Sequence, residues 1–398
     1  MTCYPPQMLA TLWTRLLAHP TGRWLVLGGS VGLVCGVVGF AFNLAVNLGL
    51  AFAVGGAVGY VPLLHGPQVP ISHGEVLRPW LVLPVLAVGG ALAGWLAMRI
   101  DRRLAGGGNE HAVEAFHIGR GAIPLRLTLG KLAASTCTLG SGGSAGREGP
   151  ISLAGAGFGS WVADRLGLAV RDRRTLLVAG IAGGLAAVFH APFAAALFAV
   201  EVLYRGPDLE SDALVPAAIS SVVGFLVAGV CEGLWHAAIG VTATVTGSIL
   251  RVPPGAGFAT GDWLRLAGYL GVAIACAAGA HLFIVLMGAL RRIAERACPP
   301  LWLRAALGAS ATGAIAVGLW YALAALAGGP DARIGFVVLG PGYGILQRAM
   351  EALPGIPLAL ALTMVAVAKM LSTACTIGSG GSGGVFAPSL VIGGCLEG

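Results

Sequence analysis

The chain has 398 residues, 57% of them hydrophobic and only 10% charged, with a formal net charge of +7. A soluble domain carries about 25% charged residues, so a water-soluble globular fold is excluded and an integral membrane protein is expected. Nucleic acid is excluded as a partner despite the positive balance, because the arginines are scattered through loops with no aromatic-studded basic face.

Residues 1–20 hold a short amphipathic stretch, expected to be a cytoplasmic N-terminal segment rather than a cleavable signal peptide. From 24 to 64 there is no charged side chain, a run of 41 residues. Since roughly 20 residues cross a bilayer upright, this run predicts one long tilted helix or a hairpin. Further apolar runs at 79–98, 132–139, 175–200, 213–230, 266–290, 305–327 and 356–368 predict more helices. Several are too short, or too rich in Gly and Pro, to be plain spans, which predicts broken helices whose freed backbone is buried in protein. The 64 glycines fit close helix packing in lipid. Arg15 and Arg23 precede the first run, and Arg99, Arg102 and Arg103 follow the second. The positive-inside rule then sets the N-terminus in the cytoplasm of a multi-pass protein of the inner (plasma) membrane.

Two segments repeat. Residues 131–150, KLAASTCTLGSGGSAGREGP, and residues 369–388, KMLSTACTIGSGGSGGVFAP, lie 238 positions apart and agree at 10 of 20 positions. A shift of about 239 also lays Thr21-Gly22…Trp24 on Thr260-Gly261…Trp263. The expected organisation is a first membrane repeat over 21–233, a connection over 234–259, and a second repeat over 260–398. The first repeat runs on for about 80 residues beyond Pro150 and the second for ten beyond Pro388, so the second repeat reads as incomplete and the chain as a truncated form.

Glycine-broken segments make helix ends at membrane depth. Such an N-terminus presents unpaired N–H groups and about half a positive charge, which suits a small anion. Gly140, Gly142, Pro150, Gly384 and Pro388 are the expected helix-end residues, the prolines marking first turns. The plainer alternative is that the glycines only let helices touch. The copies differ where chemistry would differ: Arg147-Glu148 in one, Val385-Phe386 in the other. A carboxylate at membrane depth is a functional candidate by default. Beside helix-end amides, Glu148 would compete with a permeant anion, and once protonated it would swing away as a gate. The alternative is a structural ion pair with Arg147. Eight cysteines without a C-x-x-C pair, and histidines without metal spacing, predict neither a metal site nor a disulfide framework. No arrangement of catalytic groups stands at membrane depth, so an enzyme is not expected.

Gly146-Arg147-Glu148-Gly149-Pro150 and Gly384-Val385-Phe386-Ala387-Pro388 resemble the G-(K/R)-E-G-P and G-x-F-x-P signatures of the CLC chloride channels and chloride/proton exchangers. Lys131 and the stretch 180–201 are also similar. The resemblance implies an all-α membrane fold of inverted repeats and a homodimer with one pathway per subunit. It implies no cofactor, chloride or another small anion as ligand, and protons as a second partner in exchangers. Its anion site would be formed by Gly146, Arg147 and Gly149 with Val385, Phe386 and Ala387, and its external gate by Glu148. The family's G-S-G-I-P signature falls on Gly106-Gly107-Gly108-Asn109-Glu110, so Gly107 replaces the coordinating serine, Gly108 follows it, and Asn109 is the side chain left to reach in. Val202 stands where exchangers carry an inner proton-handling glutamate, directly after Glu201. The tyrosine that closes the family's central site would fall beyond residue 398. The expected function is chloride transport through a Glu148-gated, channel-like pathway. Chloride/proton exchange is the alternative, with a fluoride- or nitrate-selective member or an inactive remnant more remote.

Overall fold

The computed structural model describes residues 20–60, 78–204, 210–240, 263–297, 300–327, 336–344 and 358–397. The expected N-terminal segment (except Pro20) and positions 241–259 of the expected connection lie outside these residues. Twelve α-helices form among them: α1 (Pro20–Gly49), α2 (Val82–Arg99), α3 (Asn109–His117), α4 (Leu125–Gly140), α5 (Glu148–Arg165), α6 (Val170–Phe189), α7 (Pro192–Glu201), α8 (Ser211–Ala238), α9 (Trp263–Ala297), α10 (Leu301–Ala327), α11 (Leu358–Gly378) and α12 (Phe386–Glu397). No strand forms among the described residues; Gly106–Ser382 and Gly146–Gly384 are isolated backbone bridges.

Within the described residues, each apolar run is helical, as a chain in lipid must be to satisfy its own backbone. Among the described residues, six stretches are long and apolar enough to cross a membrane: Gly22–Gly56, Pro79–Arg99, Ser211–Ala238, Gly268–Ala297, Leu301–Ala325 and Ala359–Gly378. Over its described part the charge-free run 24–64 is one continuous helix and not a hairpin. α1 continues into a π-helical stretch, Leu50–Gly56, with no proline to stop it. The run 175–200 breaks instead, because Pro192 cannot continue α6 and opens α7. His190 takes the left-handed conformation at that break (φ 54°), and its Nε2 stands 3.2 Å from Glu232 Oε1.

The chain divides into two compact units, one built from residues up to Ala41, Asn109–Thr128 and Ile151–Trp235, the other from Phe42–Gly108, Leu129–Pro150 and the chain after Trp235. The first is a glycine-packed helix cluster. Gly28, Gly32 and Gly36 of α1, four apart, meet the backbone of Pro216, Ser220 and Gly224 on α8. Gly155 of α5 and Gly180 of α6 lie so close that a Cβ on either would collide with the other's carbonyl. Between helices in lipid there is no water to expel, so this close approach supplies attraction through dispersion and fixes the pairing.

The second unit holds both copies of the repeated segment, joined by a set of reciprocal contacts. Ser135 Oγ is 2.8 Å from Ser382 Oγ, and Ser144 Oγ is 2.8 Å from Thr373 Oγ1. In the repeat, position 135 corresponds to 373 and position 144 to 382. The Ser382 N–H donates to Thr138 Oγ1 (3.1 Å) and the Ser144 N–H to Thr376 Oγ1 (3.2 Å), again counterparts. Gly146 and Gly384 exchange both N–H···O bonds at 2.8 Å. Contacts in which each residue meets the other copy's partner are isologous and define a two-fold axis. The axis passes through the Gly146–Gly384 pair. Substituting Ser135 by alanine strands a buried Ser382 hydroxyl and is expected to cost about 1–3 kcal/mol. Thermal unfolding in detergent should show the Ser135→Ala, Ser382→Ala double variant less destabilised than the sum of the singles.

Candidate functional site

Glu148 and Phe386 each open a helix, α5 and α12, on either side of this axis. Pro150 and Pro388 sit in the first turns, where a missing N–H removes no intrahelical bond. The Glu148 side chain is buried (2% exposed) and crosses to the other copy's helix end. Its Oε1 accepts from the Phe386 N–H at 2.5 Å and from the Ala387 N–H at 3.3 Å. Its Oε2 is buried and accepts no hydrogen bond. Amide donors to an ionised carboxylate are each worth about 1.5–3 kcal/mol, and the positive end of α12 adds to them. The unpartnered Oε2 offsets part of that, so the carboxylate is held and not locked.

Glycine makes room for this carboxylate. A Cβ on either Gly146 or Gly384 would overlap the Glu148 carboxyl group. A Cβ on Gly149 would lie 2.6 Å from Gly107 O and 3.2 Å from Gly384 Cα, both backbone atoms. One on Gly108, which holds φ +121°, would lie 2.9 Å from Gly149 O. Three glycine-bearing segments therefore touch through main chain at one point: 106–108, 146–149 and 383–384. The three segments meet peptide group to peptide group, and the donors there suited to an anion are the Phe386 and Ala387 N–H groups that Glu148 takes.

Two buried lysines brace the loops beside it. Lys131 Nζ donates to Leu104 O (3.0 Å) and Gly106 O (2.7 Å). Lys369 Nζ donates to Val338 O (3.0 Å) and Gly340 O (2.6 Å). They are repeat counterparts, and each ammonium ties down a loop that approaches the axis.

Arg147 points its guanidinium at α1: Nη1 donates to Asn43 Oδ1 at 2.8 Å and Nη2 to Asn47 Oδ1 at 2.6 Å. Among the remaining expected residues, Val385 is 38% exposed just before α12. Gly140 ends α4 against Gly49, and Gly142 turns the chain at φ +99°. Asn109 begins α3 and belongs to the first unit, with its Oδ1 buried and unpartnered. Glu201 and Val202 end α7, also in the first unit. Sequence reasoning missed Asn43 and Asn47. Their signal was available: two amides four apart, on one helix face, inside a run with no charge. It also missed Tyr343, a buried side chain in the loop that Lys369 braces. Among the described residues no group of three or more His, Cys, Asp or Glu is placed to hold a metal.

A family profile described as "Voltage gated chloride channel" matches residues 89–397. A protein of Ralstonia nicotianae named as a ClcB-like chloride channel is 29% identical over 338 residues, 84% of this chain and 70% of that protein. Among solved structures, a CLC-type fluoride/proton antiporter shares the fold with a TM-score of 0.71 at 22% identity, covering 94% of this chain and 80% of that one. A slow cyanobacterial Cl-/H+ antiporter follows with a TM-score of 0.67 at 25% identity, covering 94% and 77%.

Proposed function

The chain belongs to the voltage-gated chloride channel family, and we propose that it carries chloride passively along a pathway that the ionised Glu148 closes. One observation carries this reading: Glu148 Oε1 occupies the Phe386 and Ala387 amides, donors equally suited to a chloride ion. Carboxylate and chloride bear the same single charge and compete for the same N–H groups. Protonation removes the carboxylate's charge and leaves chloride as the better ligand. The site residues Gly107, Gly108, Gly146, Arg147, Gly149, Val385, Phe386 and Ala387 take the anion mainly through backbone, with no cofactor, and Asn109 is the nearest polar side chain in sequence.

Val202, in place of a second carboxylate after Glu201, supports passive flow over tight proton coupling. The likeness to a Cl-/H+ antiporter supports exchange as the second reading. The working form in this proposal is a homodimer in the bacterial plasma membrane with its N-terminus in the cytoplasm. The test is chloride efflux from chloride-loaded proteoliposomes, started by a potassium shunt while external pH is recorded. Chloride leaving without proton movement is the expected result. Protons driven uphill against chloride would overturn passive flow in favour of exchange, and the absence of chloride flux would overturn both.

A further inference from the structure

The loop that Lys369 braces repeats, in the second copy, the loop that carries Gly107 and Gly108. A 3-10 turn at Arg102–Leu104 has its counterpart at 336–338. Each turn closes with the same bond, Ala105 N–H to Arg102 O (3.2 Å) and Leu339 N–H to Phe336 O (3.0 Å). Two left-handed glycines follow in each, Gly106 and Gly108 (φ 83° and 121°), Gly340 and Gly342 (φ 59° and 85°). The buried lysine takes the matching carbonyls, Leu104 and Gly106 in one loop, Val338 and Gly340 in the other. It also lies against the second glycine. A Cβ on Gly108 would stand 3.1 Å from Lys131 Cε, and one on Gly342 3.0 Å from Lys369 Nζ. Helical conformation then begins at Asn109 and at Tyr343. The loop positions keep one register throughout, although the spellings, RRLAGGGN and FVVLGPGY, share little.

Both loops cross to the other copy. Gly106 N–H donates to Gly381 O (2.9 Å), in the turn after α11, and Gly340 N–H to Gly142 O (3.0 Å), in the turn after α4. A two-fold axis that exchanges the copies therefore exchanges these loops and sets them on opposite sides of the Gly146–Gly384 pair. The first loop reaches the anion site through Gly107 and Gly108, against Gly149. The second brings Tyr343, a buried side chain whose hydroxyl interacts electrostatically with both Glu148 and Arg147. Lys369, which braces that loop, likewise interacts with Glu148. A Cβ on Gly340 would meet nothing within 4 Å, so the loop has open space beside it. A phenol O–H is a donor that suits an anion.

We propose that the Gly340–Tyr343 loop is a second anion station, the counterpart across the axis of the 106–108 loop, with the Tyr343 hydroxyl as its side-chain donor. Its ligand is a small monovalent anion, chloride on the reading given above, on which this proposal rests. Chloride then passes two like loops, one on each side of the amides that Glu148 takes. The stations differ in chemistry. Gly107 offers only backbone, whereas its counterpart Pro341 has no N–H, so the second station relies on the Tyr343 hydroxyl.

The experiment titrates chloride calorimetrically into the detergent-solubilised full chain, with thermal unfolding as a check on folding. Glu148→Ala leaves its amides open to chloride, and two binding events are expected in that variant. Adding Tyr343→Phe removes the hydroxyl and keeps the ring. One event should weaken about tenfold, the loss of a hydrogen bond to a charged group, and the other should stay as it was. A purely structural hydroxyl would shift the unfolding temperature and leave both affinities within twofold, which overturns the proposal. If Tyr343→Phe does not fold, Glu148→Ala alone decides, because a single binding event there also overturns it. The comparison with the parent separates the two readings. If Glu148→Ala binds chloride no more tightly than the parent, the anion site itself fails, and the second station with it. If it binds more tightly while Tyr343→Phe leaves both events intact, only the second station fails.

Discussion

Replacing Glu148 by alanine is expected to make chloride flux independent of pH across the range in which a carboxylate titrates. In the parent, flux should rise as pH falls, because protonation releases Oε1 from the Phe386 and Ala387 amides. One proton per site limits that rise to about tenfold per pH unit. The variant has no anion of its own to place on those amides, so its flux at neutral pH should match or exceed the parent's flux in acid. Glu148→Gln should resemble the acid-side parent, since it keeps the size of the protonated side chain without its negative charge. The measurement is chloride efflux from proteoliposomes at a series of external pH values. A pH profile that survives in Glu148→Ala removes Glu148 as the gate and points to another titrating group.

A single methyl group at Gly149 should damage stability and the site together. The Cβ of Gly149→Ala would meet Gly107 O at 2.6 Å, Gly107 C at 3.1 Å and Gly384 Cα at 3.2 Å. All three are main-chain atoms, and two of the segments are braced by the axis contacts, so no flexible side chain can yield. Overpacking of this kind typically costs about 1–3 kcal/mol and occasionally more; with only backbone to displace, the upper end or beyond is expected. Chloride binding should be lost along with stability, because the same glycine contacts bring the segments of the site together. Gly393→Ala is the matched control. It lies in α12 with nothing within 4 Å of its Cβ position, and helix propensity alone would change stability by about 1 kcal/mol in the favourable direction. Thermal unfolding of both variants in detergent decides the point. Equal and small effects would mean that the three segments do not pack as closely as the geometry has them.

The pattern of what could be read from the chain follows from the range over which each interaction acts. Helices were legible because lipid leaves a backbone only one local way to satisfy itself, so each apolar run in the described residues became a helix. The break inside 175–200 is one of the interruptions expected of runs rich in Gly and Pro, and Pro192 marks its place. Glu148 stood out because a carboxylate in an apolar, glycine-broken segment has few explanations. The alternative of a structural Arg147 partner could not be dismissed from adjacency, and the Arg147 interactions that the structure describes run to Asn43 and Asn47, roughly one hundred residues earlier. Those asparagines passed unnoticed because a neutral amide inside an apolar run carries no charge signal. Their meaning depends on a partner the sequence does not bring near.

By itself, the sequence determined that this protein lives in a membrane, that it is helical, that it contains a repeated glycine-rich motif, and that Glu148 is its sharpest residue. These are consequences of composition, periodicity and spelling, all local in the chain. Only the tertiary structure decided that the two copies face each other across a two-fold axis at Gly146 and Gly384. It alone placed Glu148 on the amides of the other copy's helix, and gave Arg147 two neutral acceptors on α1. The physical reason is distance along the chain. A hydrogen bond acts over about 3 Å, and segments 238 residues apart come within that reach only when packing of the whole unit brings them there.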